Sequence, residues 1–556
     1  MASSVADSAR TEQHGEKRKH RGGYRFKNKK QKASKDVDLK DGSHEAVLLT
    51  DIKNMLSKLA FDGEKEQGST ERKQLEYGTE VELTISELSS TGDGLAYDPE
   101  SGEVYTVPYT VPQDTVKAKV VRHAAPHGIS HTVTDFLEVI RPSPLRDDGL
   151  IQCGYFAKCA GCQFQMLSYD EQLEHKRRIV EKAFKNFSEI RPENIPTVRA
   201  TIGSPLQYGY RTKLTPHFDG PPDSKRSDRR RGIHETFKEV PAIGFMPKGS
   251  RKTMDIEDCP IGTGAVRMGM KKERKRVADE LNSFKRGATL LLRESTVRVS
   301  SKEDGSASPT SNGAANIPKD AVEDAKEGYT DYKTCVTDSN AKTTEYIDSF
   351  VFTNRAGAFF QNNNSILSPF TSFVRENVLP PASGEATPKL KYLIDAYCGS
   401  GLFSITLASL FTKTIGIDIS DSSITSANEN ARLNKLPESQ AEFIAADAKE
   451  LFASVKFQSE EAVVIIDPPR KGCDEDFIRQ LMRYAPARIV YVSCNVHTQA
   501  RDVGMMVNGL DDGGDVTYEI ESLRGFDFFP QTGHVEGVAV LNRRNPGNQA
   551  AESAAS

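Results

Sequence analysis

The chain has 556 residues, 27% of them charged and 37% hydrophobic, with a formal net charge of −4. That length predicts roughly two to four domains, and no apolar run approaches the ~18 residues that a membrane-spanning helix needs. The start MASSVADSAR lacks a secretory apolar core, so the eight cysteines read as metal or catalytic thiols in a reducing compartment rather than as a disulfide scaffold.

Residues 1–74 are polar and charged, and are expected to form a disordered basic tail, with at most a short helix near AVLLTDIKNMLSKLAF. Between Glu16 and Lys35 the tail carries ten Lys or Arg and one acid. Such a run suits a solvated tail, nuclear import or RNA tethering. From 75 to 140 the pattern alternates with period two, as in VELTISEL and DTVKAKVVRH, with turn signals between. This predicts a small β-barrel of the OB type.

Residues 141–385 read as a mixed α+β central domain. Cys153, Cys159 and Cys162 open it with the spacing C-x5-C-x2-C, and Cys259 follows in DCPIG. Four thiolates can ligate an iron–sulfur cluster or zinc. A helix is predicted over SYDEQLEHKRRIVEKAFKNF. Disordered insertions are expected at PPDSKRSDRRRG and at about 301–345, both rich in polar and turn residues. Lys271, Lys272, Arg274, Lys275 and Arg276, with Tyr210, Arg211 and Lys213, suit RNA phosphate contact, or equally a solvated helix face and a strand edge. Phe245 can stack on a splayed base or pack in the core.

From 386 to 545, apolar strands alternate with helices (KYLIDAY, TIGIDI, AVVIIDPP, ARIVYVSC, VEGVAVL), which predicts a mostly parallel sheet covered on both faces. Residues 546–556 form a second disordered tail. LIDAYCGSGLFSITLA reads as strand, Gly-rich turn and helix. Gly399 and Gly401 suit close approach to a ligand, but Ser404 replaces the third glycine of a nicotinamide fingerprint. Asp418 and Asp447 end the next two strands. They suit the ribose and purine of S-adenosylmethionine, and each can equally cap a helix.

Cys494 reaches the same sheet edge in YVSCN, after DPPR, and Glu536 interrupts the apolar strand HVEGVAVL. A strand-end cysteine is often an inert packed thiol. A carboxylate in an apolar strand is costly unless paired or used. A thiolate and a carboxylate beside a methyl donor suit methylation of a poor carbon nucleophile such as carbon-5 of uracil. Cys494 would add at carbon-6, carbon-5 would take the methyl group, and Glu536 would remove the carbon-5 proton before the thiol leaves. Arg470 or His497 would lower the thiol pKa, and the base would have to leave its stack.

Five motifs then occur together: FFQNN (359–363), DAYCGSG (395–401), IIDPPRKG (465–472), YVSCN (491–495) and DFFPQTGHVE (527–536). From about Leu75 to Asn542 the chain resembles the RNA uracil-5-methyltransferase family. The resemblance implies a TRAM-type barrel, a central domain and a Rossmann-like, S-adenosylmethionine-dependent methyltransferase domain. It implies that Gln361, Tyr397, Asp418, Asp447 and Asp467 line the cofactor pocket, with Cys494 as nucleophile and Glu536 as proton acceptor. It also matches Cys153, Cys159, Cys162 and Cys259 to a 4Fe–4S cluster of some bacterial members. Leu402 departs from the asparagine that often touches the cofactor there, so that contact is not carried over.

The tail and insertions look closest to the eukaryotic enzymes that make 5-methyluridine in the tRNA T-loop. The expected activity is therefore methylation of uracil carbon-5 in tRNA. Ribosomal RNA as substrate is the alternative, and an RNA-binding or RNA-folding module is the reading from another class. The expected partner is RNA, with no membrane, and the expected state is a monomer. The expected compartment is nucleus or cytoplasm, with the mitochondrion left open.

Overall fold

A helix, α1 (His44–Phe61), stands where the sequence suggested mostly disordered tail. It is fixed because its apolar residues recur at helical spacing: Val47, Leu48, Ile52 and Met55 are all buried. Leu48, Ile52 and Met55 pack on Leu95 and Val104 of the barrel, while Val47 joins the core beneath the large C-terminal sheet described below. Asp51, also buried, accepts a 2.6 Å bond from the Ser90 N–H. The computed structural model describes residues 42–61, 74–221, 236–300, 317–381, 389–446, 452, 455–510 and 516–544. The basic run 16–35, the tail 546–556 and all but Pro221 of PPDSKRSDRRRG lie outside them.

The barrel segment is a six-stranded sheet made of Glu80–Thr84, Glu87–Leu88, Gly94–Asp98, Glu103–Val107, Thr115–Ala124 and His131–Arg141. Taken in that sequence, its spatial order is first, fifth, sixth, fourth, third, second. Its core holds Leu83, Ile85, Tyr105, Val107, Val116 and Ala118.

The helix predicted after the cysteines is α2 (Tyr169–Phe187), capped by Ser168, whose side chain accepts from the Glu171 N–H. The sequence places it in the central domain, yet its buried stripe, Ile179, Val180, Ala183, Phe184 and Phe187, belongs to the core of the large C-terminal sheet. β1 (Arg199–Ile202) follows and joins that sheet at its edge. The central region carries α3 (Gly264–Asp279). The expectation of a disordered loop over 301–345 is overturned from Val322 onward. Val322–Lys326 and Tyr329–Val336 form an antiparallel hairpin that extends the sheet through Leu292–Ser300. Gly328, with φ +84°, makes the turn, and Lys333 reaches Asp324 across the hairpin at 2.8 Å. Polar composition concealed this pairing because the hairpin is only half-buried.

The remaining strands are β2 (Tyr392–Ala396), β3 (Lys413–Asp418), β4 (Ala441–Ala445), β5 (Ala462–Ile466), β6 (Arg488–Ser493), β7 (Tyr518–Phe526) and β8 (Glu536–Arg543). With β1 they form one sheet, ordered β4-β3-β2-β5-β6-β8-β7-β1. β4 through β6 run parallel, and β8 is antiparallel to both β6 and β7. The strands alternate sides residue by residue. Ile394, Val464, Ile489 and Tyr491 face α2, α7 (Glu475–Tyr484) and α8 (Val496–Asn508). Leu393, Val463, Val490 and Val492 face α4 (Leu367–Asn377) and α5 (Leu402–Thr406). α6 (Asp421–Leu433) connects β3 to β4. The chain winds outward from β2 in one direction and from β5 in the other, so a crevice opens where these two strands meet.

Candidate active site

β2 runs straight into the glycine loop, where Tyr397, Gly399 and Gly401 all have positive φ (64°, 54° and 89°). At Gly401 a Cβ would also press on Ile405 at 3.1 Å and Phe443 at 3.2 Å, so the turn excludes a side chain there. Buried Asp395 holds the loop from below by accepting from the Ser404 N–H (2.8 Å) and Oγ (2.6 Å). Burial pushes its carboxyl up to about 7. Asp418 accepts from the Gly399 N–H (3.0 Å) and the Ser420 N–H (2.8 Å). Ser420, not Asp418, caps α6. Asp418 is therefore an anchored carboxylate at the cavity wall with spare acceptor positions, which suits ribose hydroxyls.

The crevice is a cavity of about 2160 Å³ whose wall includes Gln361, Tyr397, Asp418, Asp467, Cys494 and Glu536. It is larger than the roughly 300–1,000 Å³ of a small-molecule pocket, which leaves room for a nucleotide beside a cofactor. Asp447, the remaining residue expected to line the cofactor pocket, lies outside the described residues.

Cys494 directly follows β6 and Glu536 opens β8. The last ladder pair of the two strands is Ser493 with Gly537, which brings the ends carrying Cys494 and Glu536 together. Glu536 is 4% exposed. Burial, reinforced by the charge of Asp467, holds its carboxyl well above the ordinary range, and Arg470 opposes this. Burial also pushes the Cys494 thiol up to about 12, helped by Glu536 and Asp467, while the charge and hydrogen bond of Arg470 pull it down. Asp467 itself is pushed up to about 7 by burial and by Asp395. The sequence left Arg470 and His497 as rival cations. His497 is buried against Phe187, ring centres 5.1 Å apart, and burial drops its pKa to about 3. It is neutral, and Arg470 is the cation that faces the thiol.

Several residues that sequence reasoning passed over hold this constellation. The Asn495 side chain accepts from the His497 N–H (3.1 Å) and donates to the carbonyls of Arg470 (3.0 Å) and Gly42 (3.1 Å). Thr498 Oγ1 donates to the same Arg470 carbonyl (3.2 Å). Buried Asp502 accepts from the Cys473 N–H (2.7 Å) and the Tyr491 hydroxyl (2.6 Å), which fastens the loop after DPPR to α8. On the other side, Lys176 of α2 is fully buried and donates to Asp527 (2.5 Å) and to the Phe529 carbonyl (3.1 Å). Tyr169 donates to the second oxygen of Asp527 at 3.0 Å. The only sequence signal for these was proximity to the motifs; the long-range partners carry no local pattern.

The expected RNA contacts divide. On α3, Lys272, Arg274, Lys275 and Arg276 are engaged by Asp320, Asp255, Asp279 and Glu273, so that face is largely neutralised. Lys213 donates to the Gly357 and Ala358 carbonyls, and Tyr210 is buried. Arg211 does line the cavity and lies over the Phe529 ring, 5.2 Å from its centre. Phe245 packs in a core with Leu214, Ile256 and Val266. The aromatic left open at the cavity is Phe359, 79% exposed.

Cys153, Cys159, Cys162 and Cys259 lie close enough that ionisation of one raises another, and burial pushes Cys162 and Cys259 up to about 12. The thiols converge, yet among the described residues no group of three or more His, Cys, Asp or Glu stands in a metal-holding arrangement. The donor chemistry suits a four-thiolate centre and the spacing of the side chains does not. Also among the described residues, no helix is long and apolar enough to cross a membrane.

Residues 341–544 match the family model described as tRNA (Uracil-5-)-methyltransferase, and residues 74–125 match the TRAM domain. A tRNA (uracil(54)-C(5))-methyltransferase of Schizosaccharomyces pombe is 43% identical over 517 residues, covering 92% of this chain and 86% of that protein. A protein of the same description from Saccharomyces cerevisiae is 41% identical, covering 84% of this chain and 74% of its own length. The solved structure of Pyrococcus abyssi tRNA (uracil-54, C5)-methyltransferase with S-adenosyl-L-homocysteine superposes with a TM-score of 0.54 at 24% identity, over 83% of this chain and 100% of that one, which establishes the shared fold.

Proposed function

The chain belongs to the tRNA (uracil-5-)-methyltransferase family, and from that membership we propose that it methylates carbon-5 of the T-loop uridine at position 54 of tRNA through a covalent thioether with Cys494. The methyl donor is S-adenosylmethionine, which when bound supplies an electrophilic methyl group. The observation that carries the covalent reading is that the Cys494 thiol, just past the end of β6, and the Glu536 carboxyl, at the start of β8, share the wall of a cavity of about 2160 Å³, close enough that the Glu536 charge acts on the thiol.

Gln361, Tyr397, Asp418 and Asp467 are proposed to orient the donor along the glycine loop. Asp418 suits the ribose, since two backbone N–H groups already fix its carboxylate. Arg470 favours the thiolate form of Cys494. The Cys494 sulfur forms a bond to carbon-6 of the uracil, and the electron pair of the 5,6 double bond passes to carbon-5 and the neighbouring carbonyl. Carbon-5 then bonds to the donor's methyl carbon as that carbon's bond to the sulfonium sulfur breaks, its electron pair staying on the sulfur of the departing S-adenosylhomocysteine. Glu536 takes the carbon-5 proton, the double bond re-forms, and the sulfur leaves as thiolate. Burial keeps Glu536 a stronger base than an exposed carboxylate, which suits removal of a carbon-bound proton.

On the donor set alone, Cys153, Cys159, Cys162 and Cys259 are proposed as a structural thiolate centre of the 4Fe–4S type, whose assembly would have to draw the four thiols into ligating distance. Methyl transfer needs no electrons, and no step of the reaction runs through it. The substrate reading is tested by mass spectrometry of nucleosides from tRNA and rRNA of cells lacking the protein. Loss of 5-methyluridine from tRNA is expected, and loss confined to rRNA would overturn the choice of tRNA.

A further inference from the structure

Gln163, the residue after Cys162, joins two parts of the molecule through one side chain. Its Nε2 donates to the Thr91 carbonyl at 2.9 Å, in the tight Ser89–Asp93 turn of the barrel segment. Its Oε1 accepts from the Gly533 N–H at 2.9 Å, three residues before Glu536. The partners fix the amide orientation, because a carbonyl only accepts and a backbone N–H only donates. Gly92 has φ +88°, and a Cβ there would lie 2.2 Å from Gln163 Nε2. The turn thus has a glycine where the amide must pass.

The same contact pins the loop that leads into β8. The Gln163 and Phe164 N–H groups both donate to the Gln531 carbonyl, at 2.7 and 3.1 Å. The Gln531 side chain accepts from Gln172 of α2 (3.0 Å), whose own oxygen accepts from the Gln531 N–H (2.9 Å). Gln531 has φ 71°, a region that residues other than glycine seldom occupy. Nearby contacts must hold it there.

We propose that Gln163 is a positioning residue that couples the seating of RNA on the TRAM domain to the placement of Glu536. The inference rests on the proton-acceptor reading of Glu536. A displaced loop then slows removal of the carbon-5 proton and leaves addition of Cys494 intact, because Cys494 is held separately through Asn495 and the DPPR loop. The enzyme should stall as the thioether adduct.

The experiment uses the full chain with T-loop tRNA. Gln163→Met removes both amide contacts; Gln163→Glu keeps the acceptor for Gly533 but turns a carboxylate on the Thr91 carbonyl. For Gln163→Met, kcat should fall on the order of tenfold and denaturation-stable RNA–protein adduct should accumulate, while adduct forms within about twofold of the wild-type rate. Gln163→Glu should keep kcat near wild type and raise KM for tRNA. Glu536→Gln is the control. If it traps adduct while Gln163→Met turns over with wild-type kcat and no accumulation, the coupling is wrong. If Glu536→Gln itself traps nothing, the proton-acceptor reading falls and the coupling with it. Should Gln163→Met fail to fold, Gln163→Glu decides: a fall in kcat at unchanged KM overturns the proposal.

Discussion

Cys494 directly follows β6 and Glu536 opens β8, so the two lie just beyond the Ser493–Gly537 pair that ends the β6–β8 ladder. Burial raises both groups, the charges of Glu536 and Asp467 raise the thiol further, Asp467 raises Glu536, and Arg470 is the cation that offsets these shifts. The end of this ladder therefore brings the thiol near the carboxyl, while burial and the surrounding charges set their acidity.

Cys494→Ala should abolish methyl transfer, lowering kcat by roughly 10³-fold or more, with no adduct formed. The side chain is only half-buried, so the melting temperature should change little. Single-turnover methylation of tRNA and a thermal melt check this, and substantial residual methylation would exclude the thioether route.

Glu536→Gln should form adduct but release product about 10²- to 10⁴-fold more slowly, seen as a shifted band in denaturing gels. A second effect follows from burial. The native carboxyl binds its proton more tightly than the unfolded chain, where it titrates near about 4.3. Wild-type stability therefore falls as pH rises through and above that value, and the amide variant escapes this loss. The difference in melting temperature, variant minus wild type, should widen between about pH 5 and pH 8. A gap that narrows would mean the carboxylate is stabilised in place.

Arg470 and Glu536 should act oppositely on the reactivity of the free thiol. Arg470→Met removes the group that lowers the Cys494 pKa, and Glu536→Gln removes one that raises it. Alkylation of Cys494 by iodoacetamide near neutral pH should be slower in the first variant and faster in the second, each by several-fold. Because both thiol and carboxyl must lose a proton, methylation by the wild type should rise with pH across the neutral range.

Gly42→Ala should disturb the site from a distance. Gly42 has φ +66°, and a Cβ would come 2.8 Å from Thr498 Cγ2 and 3.1 Å from the Thr498 nitrogen. The variant should lose about 1–3 kcal/mol of stability and form adduct more slowly, since the Gly42 carbonyl is a partner of Asn495. Urea unfolding and the adduct rate measure the two effects.

If the four cysteines hold a cluster, purified protein should be brown and contain iron and acid-labile sulfide, and Cys162→Ser should bleach it. Stoichiometric zinc without sulfide would exclude the iron–sulfur reading.

The Gly-rich turn, the DPPR loop and the strand-end Cys494 were legible because each is a local signal: an apolar run that stops at residues suited to a ligand. The packing of helix α1, of which only a short helix was expected, and the hairpin at 322–336 were not. Their stability comes from partners distant in sequence, the barrel and α2 for one and Leu292–Ser300 for the other. The basic run 271–276, expected at a helix start and found in the second half of α3, misled for the opposite reason. Its charges look free in sequence, yet Lys272 and Arg274 are claimed by Asp320 and Asp255 from elsewhere in the fold, and Lys275 and Arg276 by Asp279 and Glu273 of the same helix.

By itself the sequence determined the chemistry: a thiol, a carboxylate and a methyl-donor loop on one α/β sheet, since these depend on residue type and strand periodicity. Only the tertiary structure decided which groups act on each other. The choice of Arg470 over neutral His497, the anchoring of Asn495 by Gly42 and the clasp of Gln163 on Thr91 and Gly533 depend on burial and on hydrogen bonds between distant segments. Proton affinities are set by such surroundings, and no local pattern of residues encodes them.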